Sequence, residues 1–511
     1  MKSSLWIRGI TRDKGGSSRF PLVMVLIVLL LAGVGVLIPS IMSPVLPGVV
    51  RIVGELGAFG SAFWGAVAGV LLMALMLLFR QDELAAVALI AVGLYLDWYL
   101  STYIVAVIMA LVLLFIFFLT RSDRYPWVTP RALWLWVLFL GLSIFPARAA
   151  TDAYEALYYY PHIFLGALIM FWLGTVIARN AASVHRFFQA LAGLGTLLAF
   201  HTIIAERTGT FLLATSRINT YLASVNNFML TGSSTSRVGS FLGNPDWNGA
   251  FLALMVFIPV GLLAATSSQL AKLIYVAETV LILFALLFTY TSASWIALVV
   301  GLIPLLVLVG SGYRRVWFPA LLIAAAVSIF YIFPGESALF IQHLTAPQGL
   351  QSRLGAWQTA LRIIQAFPLT GLGLSLFGYL QHSVPFLAAG LSGPLAHPHN
   401  SYLELGAMAG LPVLFVFLAL LSFALWLALR NWTMADARTR SLLGGGIAAV
   451  ITLTINSVAI NAWTLPPIAT AGWLILGVLS SPLLANARDS ETSREQSGLQ
   501  QRIAHEEPVE V

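Results

Sequence analysis

The chain has 511 residues, of which 59% are hydrophobic and only 9% are charged, and it contains no cysteine. So few charged side chains cannot cover the surface of a water-soluble fold of this length, and the sequence therefore predicts an integral membrane protein. The lack of cysteine excludes disulfides, a thiol nucleophile and thiolate metal ligands, and the net charge of +7 comes from arginines spread along the chain rather than from the clustered basic patch that nucleic-acid binding requires.

Fourteen apolar runs are close to the length at which a helix crosses roughly 30 Å of hydrocarbon. We therefore predict an all-α polytopic integral membrane protein with about 12–14 transmembrane helices and a large outer loop that carries interfacial helices. The lower number applies if the pairs of runs around Asp97 and Thr291 are re-entrant hairpins. In chain order the runs lie at 20–39, 59–79, 84–99, 102–120, 132–147, 161–178, 187–205, 248–266, 272–289, 294–310, 316–333, 401–428, 442–460 and 468–485.

Positive charges determine the predicted orientation, because loops rich in lysine and arginine stay in the cytoplasm. The N-terminal segment 1–19 carries five of them, and counting alternate loops from there places both termini in the cytoplasm. All but seven of the 27 lysines and arginines then fall on the cytoplasmic side. The seven on the outer side are Arg51, Arg148, Arg207, Arg217, Arg237, Arg353 and Arg362.

The predicted spans form three groups, separated by two outer loops that are too long to be simple connectors. The first span follows a charged leader without a small-residue cleavage pattern, so we expect a retained helix rather than a signal peptide. The polar C-terminal stretch is predicted to be disordered. In order, the segments are a cytoplasmic N-terminal segment (1–19), N-terminal transmembrane helices (20–205), a first outer loop (206–247), central transmembrane helices (248–333), a second outer loop (334–400), C-terminal transmembrane helices (401–485) and a cytoplasmic tail (486–511).

The first outer loop ends in "SRVGSFLGNPDWNGAFLAL", where glycines and Pro245 prevent a continuous helix. The next helix restarts near Trp247, which makes Asn244 and Asp246 candidates either for helix caps or for a direct role in a site. Arg237 lies just upstream, where a guanidinium near a membrane face either reaches the interface or binds an anion. The neighbouring glycines would let backbone N–H groups approach a phosphate, which favours the anion.

The second outer loop contains "QSRLGAWQTALRIIQAFPLTGLGLSLFGY". Arg353, Trp357 and Leu361 recur at helical spacing with Arg362 on another face, so we predict a helix in the outer membrane interface that ends at Pro368. The tryptophan is expected to anchor this helix in the interface. Arg353 lies near the helix start, where the helix dipole disfavours a cation, and a bound phosphate would relieve that mismatch.

The stretch "PLAHPHNSYLELGAMAGLP" closes the second outer loop. His397 and His399 precede Asn400 and Ser401, either of which can cap the next span, with Glu404 one turn inside it. The dipole at that helix start should lower the pKa of a histidine and leave a neutral ring that can act as a general base. One alternative is that both histidines only complete the helix end. A zinc site is the weaker alternative, because there is no H-E-x-x-H pattern and no nearby thiolate.

Three motifs in chain order, "RVGSFLGNPDWNGA", "SRLGAWQTALRIIQAFPLTGLGLSLF" and "HPHNSYLELGAMAGLP", resemble those of the membrane O-antigen ligase and polymerase superfamily of bacterial envelope enzymes. The resemblance covers about residues 235–425, and the multi-span layout agrees with it. The sequence departs from the family where Asp246 replaces a frequent asparagine, and where "TYTSASWIAL" lacks the serine–arginine pair that often follows the span near 290.

The resemblance implies glycan transfer from an undecaprenyl diphosphate carrier at the periplasmic face of the bacterial inner membrane, without metal or other cofactor. It implies that Arg237 and Arg353 bind the diphosphate and that His399 activates the acceptor hydroxyl, with inversion at the anomeric centre. We expect the two arginines to face one cavity. Pro398 is expected to turn the two histidine rings in different directions. The residues predicted to support the site are Asn244, Asp246, His397, Asn400 and Glu404.

The leading hypothesis is an O-antigen ligase of lipopolysaccharide biosynthesis, which attaches O-antigen to lipid A core. Alternatives are a repeat-unit polymerase, whose acceptor is a second lipid-linked glycan, a protein O-oligosaccharyltransferase, and a polysaccharide transporter. A transporter is expected to bury ionisable groups near the bilayer midplane and to show internal repeats. Nearly every charge in this sequence is predicted at a membrane edge, which favours the enzyme. The expected partners are the lipid-linked glycans and membrane lipids, and not nucleic acid.

Overall fold

The structure is a computed structural model, and its regular elements are all helical within the residues it describes. These residues are 81–100, 132–150, 160–208, 237–242, 244–309, 314–345, 347–389, 391, 393 and 397–484. The all-α class is therefore confirmed. The predicted spans at 20–39, 59–79 and 102–120, the N-terminal segment and the predicted tail lie outside the described residues.

The described helices are numbered α1 to α15 in chain order. They are α1 Asp82–Leu100, α2 Leu133–Arg148, α3 Gly166–Ile177, α4 Ala181–Thr208, α5 Pro245–Ala265, α6 Gln269–Leu287, α7 Ser292–Leu308, α8 Arg314–Ile332, α9 Pro334–Thr345, α10 Pro347–Ala366, α11 Leu376–His382, α12 Ser401–Ala409, α13 Leu411–Met434, α14 Ala437–Asn456 and α15 Pro466–Leu479. A short π-helix precedes α3, and 3₁₀ turns lie at Ser240–Leu242 and Val384–Phe386.

Four described helices are by themselves long and apolar enough to cross a membrane, namely α4, α5, α6 and α13. Helices α8 and α9 pass the same test only as a pair, and they are bent by 100° at the break between them. Shorter apolar helices of 10–17 residues are Leu133–Arg148, Ile163–Ile177, Ser292–Leu308 and Pro467–Leu479. The chain is thus a multi-pass membrane protein, whereas the number and the orientation of its spans stay predictions.

Helix α5 lies at the centre of the described bundle, and nearly all of its side chains are buried. Its closest neighbour is α14, where a Cβ added to Gly445 would lie 2.8 Å from the Cα of Gly261 and 2.8 Å from the carbonyl oxygen of Phe257. In a membrane the solvent is as apolar as the side chains, so small residues that let helix backbones touch contribute much of the packing. The "LGGGIAAV" stretch of α14 serves this close contact.

The predicted span 401–428 is two helices rather than one, which corrects the sequence-based boundary. Helix α12 ends and α13 begins at Gly410, whose φ of 84° lies in the region that favours glycine. A Cβ at this position would lie 2.3 Å from the carbonyl oxygen of Leu369, and the N–H of Leu411 donates to the carbonyl of Pro368. The segment after α10 therefore packs directly against the break. Because of the break, α12 at the candidate site need not continue the axis of α13.

Ionisable residues lie mainly at the two ends of the bundle. One of these ends, here called the ion-pair end, holds buried Asp82 and Glu83 paired with arginines at the start of α4: Arg179 at 3.0 Å and Arg186 at 2.7 Å. Glu278 is an exception to the expectation that charges lie at membrane edges, because it lies near the middle of α6. The opposite end, here called the site end, holds the predicted functional residues.

Candidate active site

Two arginines from distant parts of the chain converge on one carboxylate at the site end. Arg237 lies before α5, Asp246 in the first turn of α5 and Arg353 in the second turn of α10. Nη2 of Arg237 donates to Oδ1 of Asp246, and Nη2 of Arg353 donates to Oδ2 at 3.2 Å. The side chains are only 11%, 14% and 22% exposed, respectively. The structure thus brings both predicted arginines together and shows a carboxylate where they meet.

The start of α5 directs this carboxylate. Asn244 is the N-cap, with extended backbone, and its Oδ1 accepts a hydrogen bond from the N–H of Asp246 at 2.8 Å. Pro245 follows in the first turn, where its missing N–H removes no helix bond. The capping role is therefore confirmed for Asn244. It does not hold for Asp246, whose side chain faces the arginines.

The guanidinium of Arg237 is held by the turn between α6 and α7. Its Nε donates to the carbonyl of Thr289 at 2.9 Å, and its Nη2 lies 3.2 Å from Oγ1 of Thr291. Between these two threonines, Tyr290 has a φ of 49°. The sequence analysis did not predict that this turn binds Arg237, although the polar "TYTS" break between two apolar runs was a usable signal. The turn therefore holds the guanidinium through both Nε and Nη2, and Asp246 binds the same Nη2.

The segment that carries Arg237 is itself anchored to buried polar groups. Nδ2 of Asn248 donates to the carbonyl of Val238 at 3.1 Å, and Nδ1 of His201 lies 2.8 Å from Oγ of Ser240. These contacts join the segment to α5 and to the end of α4. Sequence reasoning missed His201 and Asn248, since both sit inside apolar runs and nothing local indicates their partners.

Helix α10 positions Arg353. The predicted helix is confirmed, and it ends before Pro368 as expected. Arg362 lies on another face, where its Nη1 donates to the carbonyl of Leu387 at 2.6 Å. On the buried face, Oγ1 of Thr359 accepts from the N–H of Ala388 at 3.0 Å. The chain after α11 therefore fastens α10 in place, while the interfacial location of α10 stays a prediction.

His397 and His399 lie side by side. Their ring centroids are 4.2 Å apart, and the N–H of His399 donates to Nδ1 of His397 at 3.2 Å. The expectation that Pro398 turns the rings in different directions is wrong. The reason is the backbone of His399, whose φ of 52° folds the segment back on itself. Since Nδ1 of His397 accepts a hydrogen bond, this ring is neutral and carries its proton on Nε2.

Burial lowers the pKa of His399, with Asp246 opposing the shift and Arg353 adding to it. Burial also lowers the pKa of His397 to about 3, and the neighbouring His399 contributes to the lowering while Asp246 opposes it. Both rings are therefore neutral at neutral pH and able to accept a proton. The sequence attributed this neutrality to the helix dipole, whereas the main cause is the loss of water around the rings.

Three of the four described non-glycine residues with positive φ lie around this site: Ser240, Tyr290 and His399. Each such conformation costs roughly 1–3 kcal/mol and persists only where the surroundings enforce it. Here one strained residue follows Arg237 along its segment, one lies inside the turn that binds Arg237, and one carries the imidazole. Strain of this kind concentrates at functional sites.

The start of α12 is capped and tied to the rest of the bundle. Oδ1 of Asn400 accepts from the N–H groups of Tyr402 at 2.9 Å and Leu403 at 3.0 Å, which confirms its predicted role as N-cap. The N–H of Ser401 donates to the carbonyl of Ser457 at 2.9 Å. The backbone that carries His399 is thus held on both sides.

Glu404 points into the protein rather than back to the helix start. Its buried carboxyl group is hydrogen-bonded by Thr464 and Asn461 from the connection between α14 and α15. Oδ1 of Asn461 also accepts from Nε1 of Trp247 at 3.1 Å. This network joins α12 to the first turn of α5, and so it links the histidines to the carboxylate between the arginines. The sequence did not indicate any role for the α14–α15 connection.

Known families add to this picture. A family model described as O-antigen ligase matches residues 277–418, which include Arg353 and His399, while Arg237 and Asp246 precede the match. No curated protein matches the chain. The matched stretch begins within α6 and ends in α13, so it covers most of the helices that build the site end. With the multi-pass helical fold around it, this match over residues 277–418 supports membership of the O-antigen ligase superfamily.

Proposed function

We propose that the protein transfers a glycan from an undecaprenyl diphosphate carrier to an acceptor hydroxyl, and that it is an O-antigen ligase whose acceptor is lipid A core. The match of residues 277–418 to the O-antigen ligase family supports a role in O-antigen transfer. The observation that carries the proposal is the convergence of Arg237 and Arg353 beside a neutral His399. Two planar guanidinium groups can each bind two oxygens of a phosphate, whereas a single ammonium group acts only as a point charge.

The proposed reaction needs one base and one stabilised leaving group. A ring nitrogen of His399 takes the proton of the acceptor hydroxyl, the hydroxyl oxygen bonds to the anomeric carbon, and the bond from that carbon to the diphosphate oxygen breaks. The diphosphate leaves with the electron pair, and the two arginines, whose side chains are mostly buried, stabilise its charge. Attack from the face opposite the leaving group inverts the anomeric centre.

The distribution of positive charge supports a periplasmic site. Lysine and arginine residues concentrate at the ion-pair end, and basic ends of spans stay in the cytoplasm. The site end would then face the periplasm, where the lipid-linked glycans of this proposal are used. The described basic residues at or next to helix ends on the side of the ion-pair end include Arg179, Arg186, Lys272, Arg314, Arg315, Arg430, Arg438 and Arg440.

The test is transfer by the purified full-length protein in lipid vesicles, with a lipid-linked glycan as donor and either lipid A core or a second lipid-linked glycan as acceptor. A ligase forms glycosylated lipid A core. A polymerase instead lengthens the lipid-linked glycan, and a protein O-oligosaccharyltransferase uses neither acceptor. If the protein moves the intact donor across the vesicle membrane and forms no new bond, a transporter replaces the enzyme.

A further inference from the structure

The carboxylate of Asp246 occupies the place where the two arginines meet. Each of its oxygens binds a different guanidinium, Oδ1 that of Arg237 and Oδ2 that of Arg353. The hydroxyl of Thr291 lies 3.3 Å from Oδ1 and so adds a third contact. The helix start fixes the backbone of Asp246 through the cap at Asn244. This anion is therefore a permanent part of the site and cannot leave it.

A carboxylate and a phosphate present similar oxygens to a guanidinium. Asp246 thus uses hydrogen-bonding capacity that a diphosphate would use, and it also cancels part of the charge that attracts the ligand. The described site holds two positive charges and one negative charge, since both histidines are neutral. Without the carboxylate, a diphosphate would meet two uncompensated guanidiniums in a mostly buried position, where electrostatic attraction is strong.

We propose that Asp246 is a built-in counter-anion that weakens the binding of the diphosphate group, so that the isoprenoid diphosphate product leaves after each transfer. This inference rests on the proposed function, because it takes the ligand to be a diphosphate. Substrate and product carry the same diphosphate, and tight binding of both does not speed the chemical step. A clamp without the counter-anion would retain its product, and product release limits turnover in many enzymes.

A purely structural role for Asp246 makes the opposite prediction. If the carboxylate only orients the guanidiniums, then its removal lets them separate and the diphosphate binds more weakly. The sign of the change in affinity therefore distinguishes a counter-anion from an orienting group. Asparagine is the suitable replacement, because its Oδ1 can still accept a hydrogen bond from one arginine while the negative charge is lost.

The experiment measures binding of farnesyl diphosphate, a short isoprenoid diphosphate, to the full-length protein in detergent by calorimetry. Asp246→Asn should bind roughly tenfold more tightly than the parent, because one nearby negative charge is removed from a partly buried site. Asp246→Ser is the second charge-removing variant, in case the first does not fold. Asp436→Asn is the matched control. It removes one carboxylate at the ion-pair end, where Asp436 caps α14 and asparagine caps equally well, so its affinity should equal that of the parent.

Unchanged or weaker binding by both folded Asp246 variants would overturn the counter-anion. The same measurement on Arg237→Gln and Arg353→Gln tests the proposed function separately. If these two variants lose affinity and the Asp246 variants do not gain it, only the present inference fails. The diphosphate-binding role itself fails if the parent does not bind farnesyl diphosphate. It also fails if the affinity of the parent equals that of the two arginine variants.

Discussion

At the scale of single residues, His399 is the group on which the proposed chemistry depends most. Partial burial lowers the pKa of its ring and keeps it neutral, and its strained backbone places it against His397 and close to Asp246. We expect His399→Ala to lower the rate of glycan transfer by about 10²- to 10⁴-fold, the contribution of a positioned base. Binding of the lipid-linked donor should persist, since a proton acceptor acts on the barrier more than on ground-state binding.

Transfer per folded molecule, measured beside donor binding, checks this expectation. The variant His397→Ala tests whether His397 positions His399, because it removes both the ring contact and the acceptor for the N–H of His399. We expect an intermediate loss from misplacement of the base. Full turnover by folded His399→Ala protein would assign the imidazole a structural role only.

The pH dependence of transfer follows from the direction of the pKa shift. Burial places the pKa of His399 below its ordinary value of 6.5. A base must be neutral to act, so activity should persist as the pH falls through 6.5 and be lost only below it. The unfolded chain, with the higher pKa, binds this proton first, so acid also lowers the free energy of unfolding. Following unfolding at each pH separates the two effects, and an acid limb centred at or above pH 6.5 would contradict the assignment.

The planar shape of the guanidinium is required at both arginines. Arg237 reaches Thr289, Thr291 and Asp246 from one group, which the compact ammonium of lysine cannot do. We expect Arg237→Lys and Arg353→Lys to lower transfer by at least about tenfold, because each lost charged hydrogen bond is worth about 1.5–3 kcal/mol. Arg362→Lys is the control, since this exposed arginine lies on another face of α10 and should tolerate the change. Equal activity of all three variants would show that the planar guanidinium is not required at Arg237 and Arg353.

At the scale of secondary-structure elements, the break between α12 and α13 decides how the histidines are presented. We expect Gly410→Ala to destabilise the folded protein by several kcal/mol, because positive φ costs roughly 1–3 kcal/mol and the new Cβ would collide with the backbone of Leu369. Gly335→Ala is the matched control, since a Cβ there meets nothing within 4 Å. Thermal unfolding in detergent measures both. A stable Gly410→Ala protein would show that the two helices can merge into one span.

At the scale of the whole molecule, the orientation in the membrane can be tested by labelling single introduced cysteines. The chain contains no cysteine of its own, so no other thiol of this protein reacts. Leu369 is exposed at the site end, and Thr433 is exposed at the end of α13 near the ion-pair end. We expect a thiol reagent that cannot cross the inner membrane to label Leu369→Cys from the periplasm, and Thr433→Cys only after the membrane is permeabilised. The reverse pattern would place the site in the cytoplasm.

The features that could be predicted from the sequence depend on local interactions. Fold class followed from composition, and the positions of α5, α6 and α7 followed from apolar runs that must satisfy their own backbone hydrogen bonds. The caps Asn244 and Asn400 were visible because a capping side chain bonds to an N–H two or three residues away. Arg237, Arg353 and His399 were selected because charged or imidazole groups are unexpected beside apolar helices.

The contacts that these groups make come from long-range packing. Asp246 and Arg353 are 107 positions apart in the chain, and Arg237 and Thr289 are 52 apart. Whether Asp246 caps a helix or joins two arginines therefore depends on how α10 packs, and no local pattern encodes that. The ring contact of His397 and His399 likewise needs a strained φ that the surrounding bundle enforces. The local sequence determines which charged and polar groups are available. Their pairing depends on long-range packing, because a buried charge is costly unless a partner lies beside it, and here the partners come from distant parts of the chain.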